Sequence, residues 1–151
     1  MQKKRAAIVF VAIAAVMVTS VSGWELSEAN LLKDAHVRED NPTTNYGSLQ
    51  SLSIGEYNSD DIYAYISPNI SLPSYTTVFS AMLNLTFFNS NLNPTNPCNI
   101  SVCRAEEEWN ESGVTWNNSP TFTDCEEKIT ITNNYGTVQL NITDYVQDVV
   151  D

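Results

Sequence analysis

The residues best suited to chemistry in this chain are carboxylates and aromatics. Asp34, Glu39, Asp40, Asp60 and Asp61, with the Asn41 amide beside them, offer the hard oxygen ligands that calcium takes, though not at the spacing of an EF-hand. The same groups can instead satisfy turn backbone, with Arg38 and Glu39 pairing locally. A second acidic run, Glu106, Glu107, Glu108 and Glu111, holds the carboxylates that could form a glycosidase-like pair, since that reaction needs only two carboxyl groups at a set separation. Nothing marks one of them as desolvated, and a solvated acidic loop is the simpler reading. Nucleophilic catalysis lacks its parts: His36 is the only histidine, and there is no H-E-x-x-H and no Gly-rich phosphate loop. The chain therefore reads as non-catalytic, requiring no cofactor, with calcium the one ion its acids suit.

The aromatics point to binding. Tyr63 and Tyr65 share one face of an alternating stretch whose other face is Ile62, Ala64 and Ile66, and Tyr57 lies just before it. If the aliphatic face is core, the tyrosines form an exposed strip able to stack on the C–H faces of sugar rings. In the reverse register they are core. Trp109 and Trp116 offer a similar platform, but tryptophan is usually largely buried, which favours a structural role for this pair.

An exported chain is the expected context for these groups. Lys3, Lys4 and Arg5 precede an apolar run of 13 residues, Ala6 to Val18, and Thr19 to Gly23 supply the small residues of a cleavage site, so residues 1–23 read as a signal helix and Trp24 as the first mature residue. Thirteen helical residues span about 20 Å, short of the ~30 Å hydrocarbon core, which disfavours a permanent membrane span. Removing the three leader cations leaves four basic against 18 acidic residues, a net of −14, with Lys33, Arg38, Arg104 and Lys128 scattered. Nucleic acid and anionic membranes are poor partners for such a chain. At 42% hydrophobic and 17% charged residues it has the composition of a globular domain. Of the three cysteines, Cys98 and Cys103 lie five residues apart within one extended strand and cannot bond to each other, so Cys125 is expected to pair with one of them. Six N-x-S/T sequons, at Asn69, Asn84, Asn99, Asn110, Asn117 and Asn141, are glycosylation candidates.

The elements that must position these groups are short strands. Alternation runs through Leu49–Ile54, Ile62–Ile66, Ala81–Phe87 and Cys98–Val102, with turn clusters between. Leu52, Ile54, Ile66, Leu83, Leu85, Ile100, Val102 and Trp116 are the expected core. Residues 128–132 and 136–142 read as a hairpin around Asn133-Asn134-Tyr135. Ile142, Tyr145, Val146, Val149 and Val150 then change to helical spacing, with Thr143 or Asp144 as cap. The expected fold is all-β, an antiparallel, jelly-roll-like β-sandwich with a short C-terminal helix, preceded by the signal helix.

Two segments carry a family resemblance. Asp34-Ala35-His36-Val37-Arg38-Glu39-Asp40-Asn41-Pro42-Thr43-Thr44-Asn45-Tyr46-Gly47, followed by Leu52 and Gly55, resembles the opening of the DNRLRE domain family, the disaggregatase-related repeats. Trp109-Asn110-Glu111-Ser112-Gly113-Val114-Thr115-Trp116-Asn117-Asn118-Ser119-Pro120 resembles its later hallmark. Ala35, His36 and Val37 depart from the signature. The resemblance covers residues 34–151 and divides the chain into a leader (1–23), an N-terminal segment (24–33) and a sandwich domain (34–151). It implies structural roles for Asp34, Arg38, Glu39, Asn45, Gly47, Trp109, Glu111, Thr115 and Trp116. It also implies a secreted or cell-surface module that binds polysaccharide or cell-envelope glycan. The family pattern continues past the helix through closing strands, so the sandwich is expected to be incomplete at its C-terminal end. That leaves open a structural or adhesion subunit completed by self-assembly or by a partner chain, and an accessory fragment of a glycan-degrading enzyme.

Overall fold

The computed structural model describes residues 8–19, 25–26, 31–57, 59–70, 72, 77–88, 97–133 and 135–150. In chain order these form β1 (Ile8–Thr19), β2 (Glu25–Leu26), β3 (Leu31–Arg38), β4 (Leu52–Tyr57), β5 (Asp60–Pro68), β6 (Ser80–Phe88), β7 (Cys98–Ala105), a 3₁₀ turn (Trp116–Asn118), β8 (Phe122–Ile131), β9 (Tyr135–Asn141) and α1 (Thr143–Val150). The strands pair antiparallel in two sheets: β3-β5-β4-β1-β6-β9 with β2 on β1, and the hairpin β7-β8. This is the expected all-β, sandwich-like architecture with a C-terminal helix.

The apolar run read above as a signal helix is strand β1. It lies between β4 and β6, paired over Ile8–Phe10 with β4 and over Val9–Val11 and Ala15–Thr19 with β6, the register shifting between Val11 and Ala15. The expected hairpin of residues 128–132 and 136–142 does not form. β8 pairs with β7 and β9 with β6, so the Asn133 turn carries the chain from one sheet to the other.

β6 shows why the alternation is legible. Ala81, Leu83, Leu85 and Phe87 are buried, while Thr86 and Phe88 face out. Val138 and Leu140 of β9 extend this layer beside Leu85 and Leu83, and Cys98, Ile100 and Ile131 of the hairpin, with Ile142 and Val146, join them in the main core. Leu52 joins it fully, while Ile54, Ile66 and Val102 are partly buried against it. Trp116 packs elsewhere, in a second cluster.

An eight-residue helix is marginal by itself and needs tertiary docking. The Asn141 side chain caps α1 by accepting from the Thr143 N–H at 3.0 Å. Thr143 Oγ1 accepts from the Ala81 N–H (2.9 Å) and Gln147 Oε1 from the Val78 N–H (2.6 Å), which fixes α1 to the start of β6. On its other side the Tyr145 hydroxyl donates to the Val102 and Asp124 carbonyls, and Arg104 pairs with Asp148. The Cys103–Cys125 disulfide closes the hairpin, and Cys98 is a buried thiol on its inward face.

His36 is 2% exposed, and its Nδ1 has no hydrogen-bond partner. It lies opposite Ala64 on β5, with its ring stacked on Tyr46 at 4.6 Å. Burial, aided by the Arg38 charge, pushes its pKa from 6.5 down to about 4. The unfolded chain thus takes up this proton near pH 6.5 and the folded chain only near 4. Stability is whole above pH 6.5 and is lost as pH falls toward 4, by up to about 3 kcal/mol. Asp34, whose carboxyl burial and Glu111 push up, works in the opposite sense. The expected result is a melting temperature that drops over this window in the native chain and drops less in His36→Phe. Equal slopes would place the acid sensitivity elsewhere.

Candidate functional site

Ala35 and Val37 of β3 pair with Tyr65 and Tyr63 of β5, so these four side chains share the face opposite the aliphatic one. The aliphatic face is indeed core: Ile62 is buried and Ala64 and Ile66 pack against the main cluster. The tyrosines nonetheless do not form an exposed strip. Residues 106–121, between β7 and β8, lie over them and bury Tyr65 with Val114, Trp109 and Trp116. The Tyr65 hydroxyl donates to the Pro120 carbonyl at 2.9 Å, and burial raises its pKa. The Tyr57 side chain lies outside the described residues.

The two motif segments hold this loop in place. Lys33 Nζ donates to the Trp109 carbonyl (2.7 Å) and to Glu108 (3.2 Å), and it sits 4.8 Å from the Trp109 ring centroid. The Glu111 carboxylate accepts the Asp34 N–H at 2.9 Å. Asn45 Nδ2 donates to the Glu111 and Val114 carbonyls, each at 2.7 Å, and the Asn117 N–H donates to the Pro42 carbonyl. Gly47 is required by close approach: a Cβ there would lie 2.0 Å from the Glu111 carbonyl oxygen. The Thr115 N–H and hydroxyl both donate to Asn118 Oδ1, closing the 3₁₀ turn. Asn45, Gly47, Glu111, Thr115 and both tryptophans thus brace the loop.

Three of the acids proposed as calcium ligands, Glu39, Asp40 and Asp61, are engaged locally. Asp40 takes two bonds from Arg38, at 2.9 and 2.6 Å, and these hold its carboxyl below the ordinary range. Glu39 Oε2 accepts the Asp61 N–H, and Asp61 Oδ2 accepts the Tyr63 hydroxyl, both at 3.0 Å. Glu107 accepts from Thr121, and Glu106 from Thr123. Among the described residues no three Asp, Glu, His or Cys side chains gather where they would hold a metal ion. Of the sequon asparagines, Asn69, Asn99, Asn110, Asn117 and Asn141 are exposed and Asn84 is half-buried.

What the loop leaves accessible is an aromatic patch. Tyr63 stacks on Trp116 at 5.1 Å between ring centroids and meets Phe122 edge-on at 5.1 Å. Phe122 is 41% exposed, while Tyr63 and Trp116 are half-buried. Burial and the bond to Asp61 push the Tyr63 hydroxyl up to about 12, and it donates to the Asp61 carboxylate beside the rings. Ring faces next to a carboxylate suit a ligand with an apolar C–H face and hydroxyl edges. Phe122 is the member that the sequence does not single out. It follows the motif segment that ends at Pro120 and reaches Tyr63 only through the fold.

A cleft of about 970 Å³ lies between β4–β5 and the β7–β8 hairpin, with aliphatic walls at Ile54, Ile66, Ile100 and Val102. Its lining also includes Arg104, Lys128 and Asp148, and Asp61, Tyr63 and Phe122 of the patch border it. No helix among the described residues is long and apolar enough to cross a membrane.

Neither curated proteins nor solved structures yielded a match to the chain. The family model of carbohydrate-binding module family 96 matches residues 25–151, a stretch that includes both motif segments, the aromatic patch and α1. The chain belongs to carbohydrate-binding module family 96.

Proposed function

We propose that this chain is a non-catalytic extracellular or cell-surface module that binds polysaccharide or cell-envelope glycan through Trp116, Tyr63 and Phe122. The observation that carries the reading is the stacked, partly exposed aromatic group bordered by Asp61, in a chain of a carbohydrate-binding family. Tyr63 keeps the role read from the sequence, whereas Tyr65 supports the patch from beneath. Affinity electrophoresis against neutral and acidic polysaccharides tests it. Phe122→Ala combined with Trp116→Ala is expected to weaken binding about tenfold, or about 1.4 kcal/mol, with a melting control showing that the fold persists. Unchanged binding in a folded double variant would remove this patch. Hydrolysis of a glycan would favour the reading as part of a glycan-degrading enzyme.

A second reading, a surface subunit that assembles by strand addition, draws on two observations. A strand-shaped position lies between β4 and β6, filled by the leader-like β1, and an open cleft with aliphatic walls lies beside the hairpin.

A further inference from the structure

The outward face of the β6–β9 ladder stands apart from the rest of this acidic chain. Neither Ser80–Phe88 nor Tyr135–Asn141 contains a charged residue, in a protein with 18 acidic side chains. An edge strand such as β9 is ordinarily protected by charge, lysine above all. Its outward side chains here are Tyr135, Thr137, Gln139 and Asn141, all exposed. Their register partners on β6 form rows: Asn84 with Gln139, Thr86 with Thr137, Phe88 with Tyr135. Gln139 Nε2 donates to Asn84 Oδ1 at 2.7 Å, which orients the amide pair across the strands. At the far end Phe88 is 45% and Tyr135 80% exposed. From the amide row to the aromatic row is four residues of strand, about 13 Å.

We propose that this face is a second binding surface, for an uncharged glycan chain. The inference rests on the carbohydrate-binding reading and adds to it a separate site and a ligand class. Amides and threonine hydroxyls both donate and accept, as sugar hydroxyls do, and the aromatic pair offers a stacking surface about two to three sugar rings away. Charge selects among glycans. A chain of net charge −11 repels an anionic polysaccharide, and this face has no cation to offset that repulsion. A neutral chain pays no such cost and meets no ionised group that must be desolvated.

The test is isothermal titration of the native protein with neutral hexaoses (gluco-, manno- and xylo-configured) and with oligogalacturonate, for the wild type, Tyr135→Ala, Gln139→Ala and the Phe122/Trp116 double variant. Tyr135 and Gln139 are exposed, so both single variants should melt as the wild type does. The expected result is binding of at least one neutral hexaose, weakened about tenfold by Tyr135→Ala and by Gln139→Ala. Oligogalacturonate is expected to be insensitive to both substitutions. Neutral binding lost only in the Phe122/Trp116 variant would overturn this surface and leave the first patch standing. Absence of binding to every probe would overturn both. Asn84 and Asn141 are sequon residues on this same face, so mass spectrometry showing them glycosylated in the native protein would also overturn it, because attached glycans would cover the rows.

Discussion

A chain that begins at Trp24 is expected to self-associate at micromolar concentration and to lose the cooperative melting of the full-length chain. The reason is topological. β1 supplies the hydrogen-bond ladder on both its sides, to β4 through Ile8–Phe10 and to β6 through Val9–Val11 and Ala15–Thr19, and β4 and β6 do not otherwise pair. Without it the sheet divides into β3-β5-β4 and β6-β9, each with a bare edge. About ten main-chain hydrogen bonds at roughly 1 kcal/mol net each are comparable to the whole stability of a domain, roughly 5 to 15 kcal/mol, and bare edges invite pairing with another chain. Size-exclusion chromatography with light scattering, together with a thermal melt, reads both effects. A lysine-tagged peptide of residues 8–19 added in trans is expected to restore a cooperative melt. A monomeric 24–151 product with an unshifted melt would show that the sheet closes without β1. The segment also has the form of an export leader, and N-terminal sequencing of the native protein decides which use the cell makes of it. If the chain starts at Trp24, the position between β4 and β6 belongs to some other strand, and the strand-addition reading gains its site.

The fold was legible where one face of a strand is buried and the other is not. β6 is the clear example, since a period of two assigns Ala81, Leu83, Leu85 and Phe87 to the core without ambiguity. α1 was legible because the period changes at Ile142, although its cap is the Asn141 side chain and not the expected Thr143 or Asp144. β5 was legible as a strand but not in its surroundings. Both its faces are covered, one by the main core and one by residues 106–121, and no local pattern reports a cover that comes some forty residues later. That is why Tyr65 read as a ligand candidate and is instead a buried support. The β8–β9 connection failed for a related reason. A turn rich in asparagine serves a hairpin and a crossing between sheets equally well, and only the partner strands, β7 and β6, decide.

Residues that brace the site were more legible than those that would touch a ligand. Asn45, Gly47, Glu111 and Thr115 stood out through the family resemblance, and each meets a backbone demand in the fold: two carbonyls, a 2.0 Å approach, one N–H and a turn. Phe122 and the β6–β9 face carry no such local demand. Cys125 had two partners open to it from spacing. The register, with Val102 opposite Glu126 and Arg104 opposite Thr123, brings Cys103 beside it and leaves Cys98 facing the core.

Leu85→Asp is expected to unfold the protein at neutral pH, whereas Thr86→Asp should change stability by no more than about 0.5 kcal/mol. The two positions are adjacent in β6 and differ only in the face they occupy. Leu85 is 8% exposed within the main core, and Thr86 is exposed on the outer face. At position 85 the substitution removes a buried apolar side chain, a loss of about 2 to 5 kcal/mol, and places a carboxyl within the apolar main core. A buried carboxyl escapes ionisation only by taking up a proton, which at pH 7 costs several kcal/mol more. Together these exceed the roughly 5 to 15 kcal/mol of a domain at its lower end. Circular dichroism and a thermal melt separate the outcomes, and lowering the pH should recover part of the loss at position 85 and none at 86. If both variants melt like the native chain, Leu85 does not face the core. The alternation through Ala81, Leu83 and Phe87 would then have to be reassigned, and with it the outward face on which the amide and aromatic rows stand.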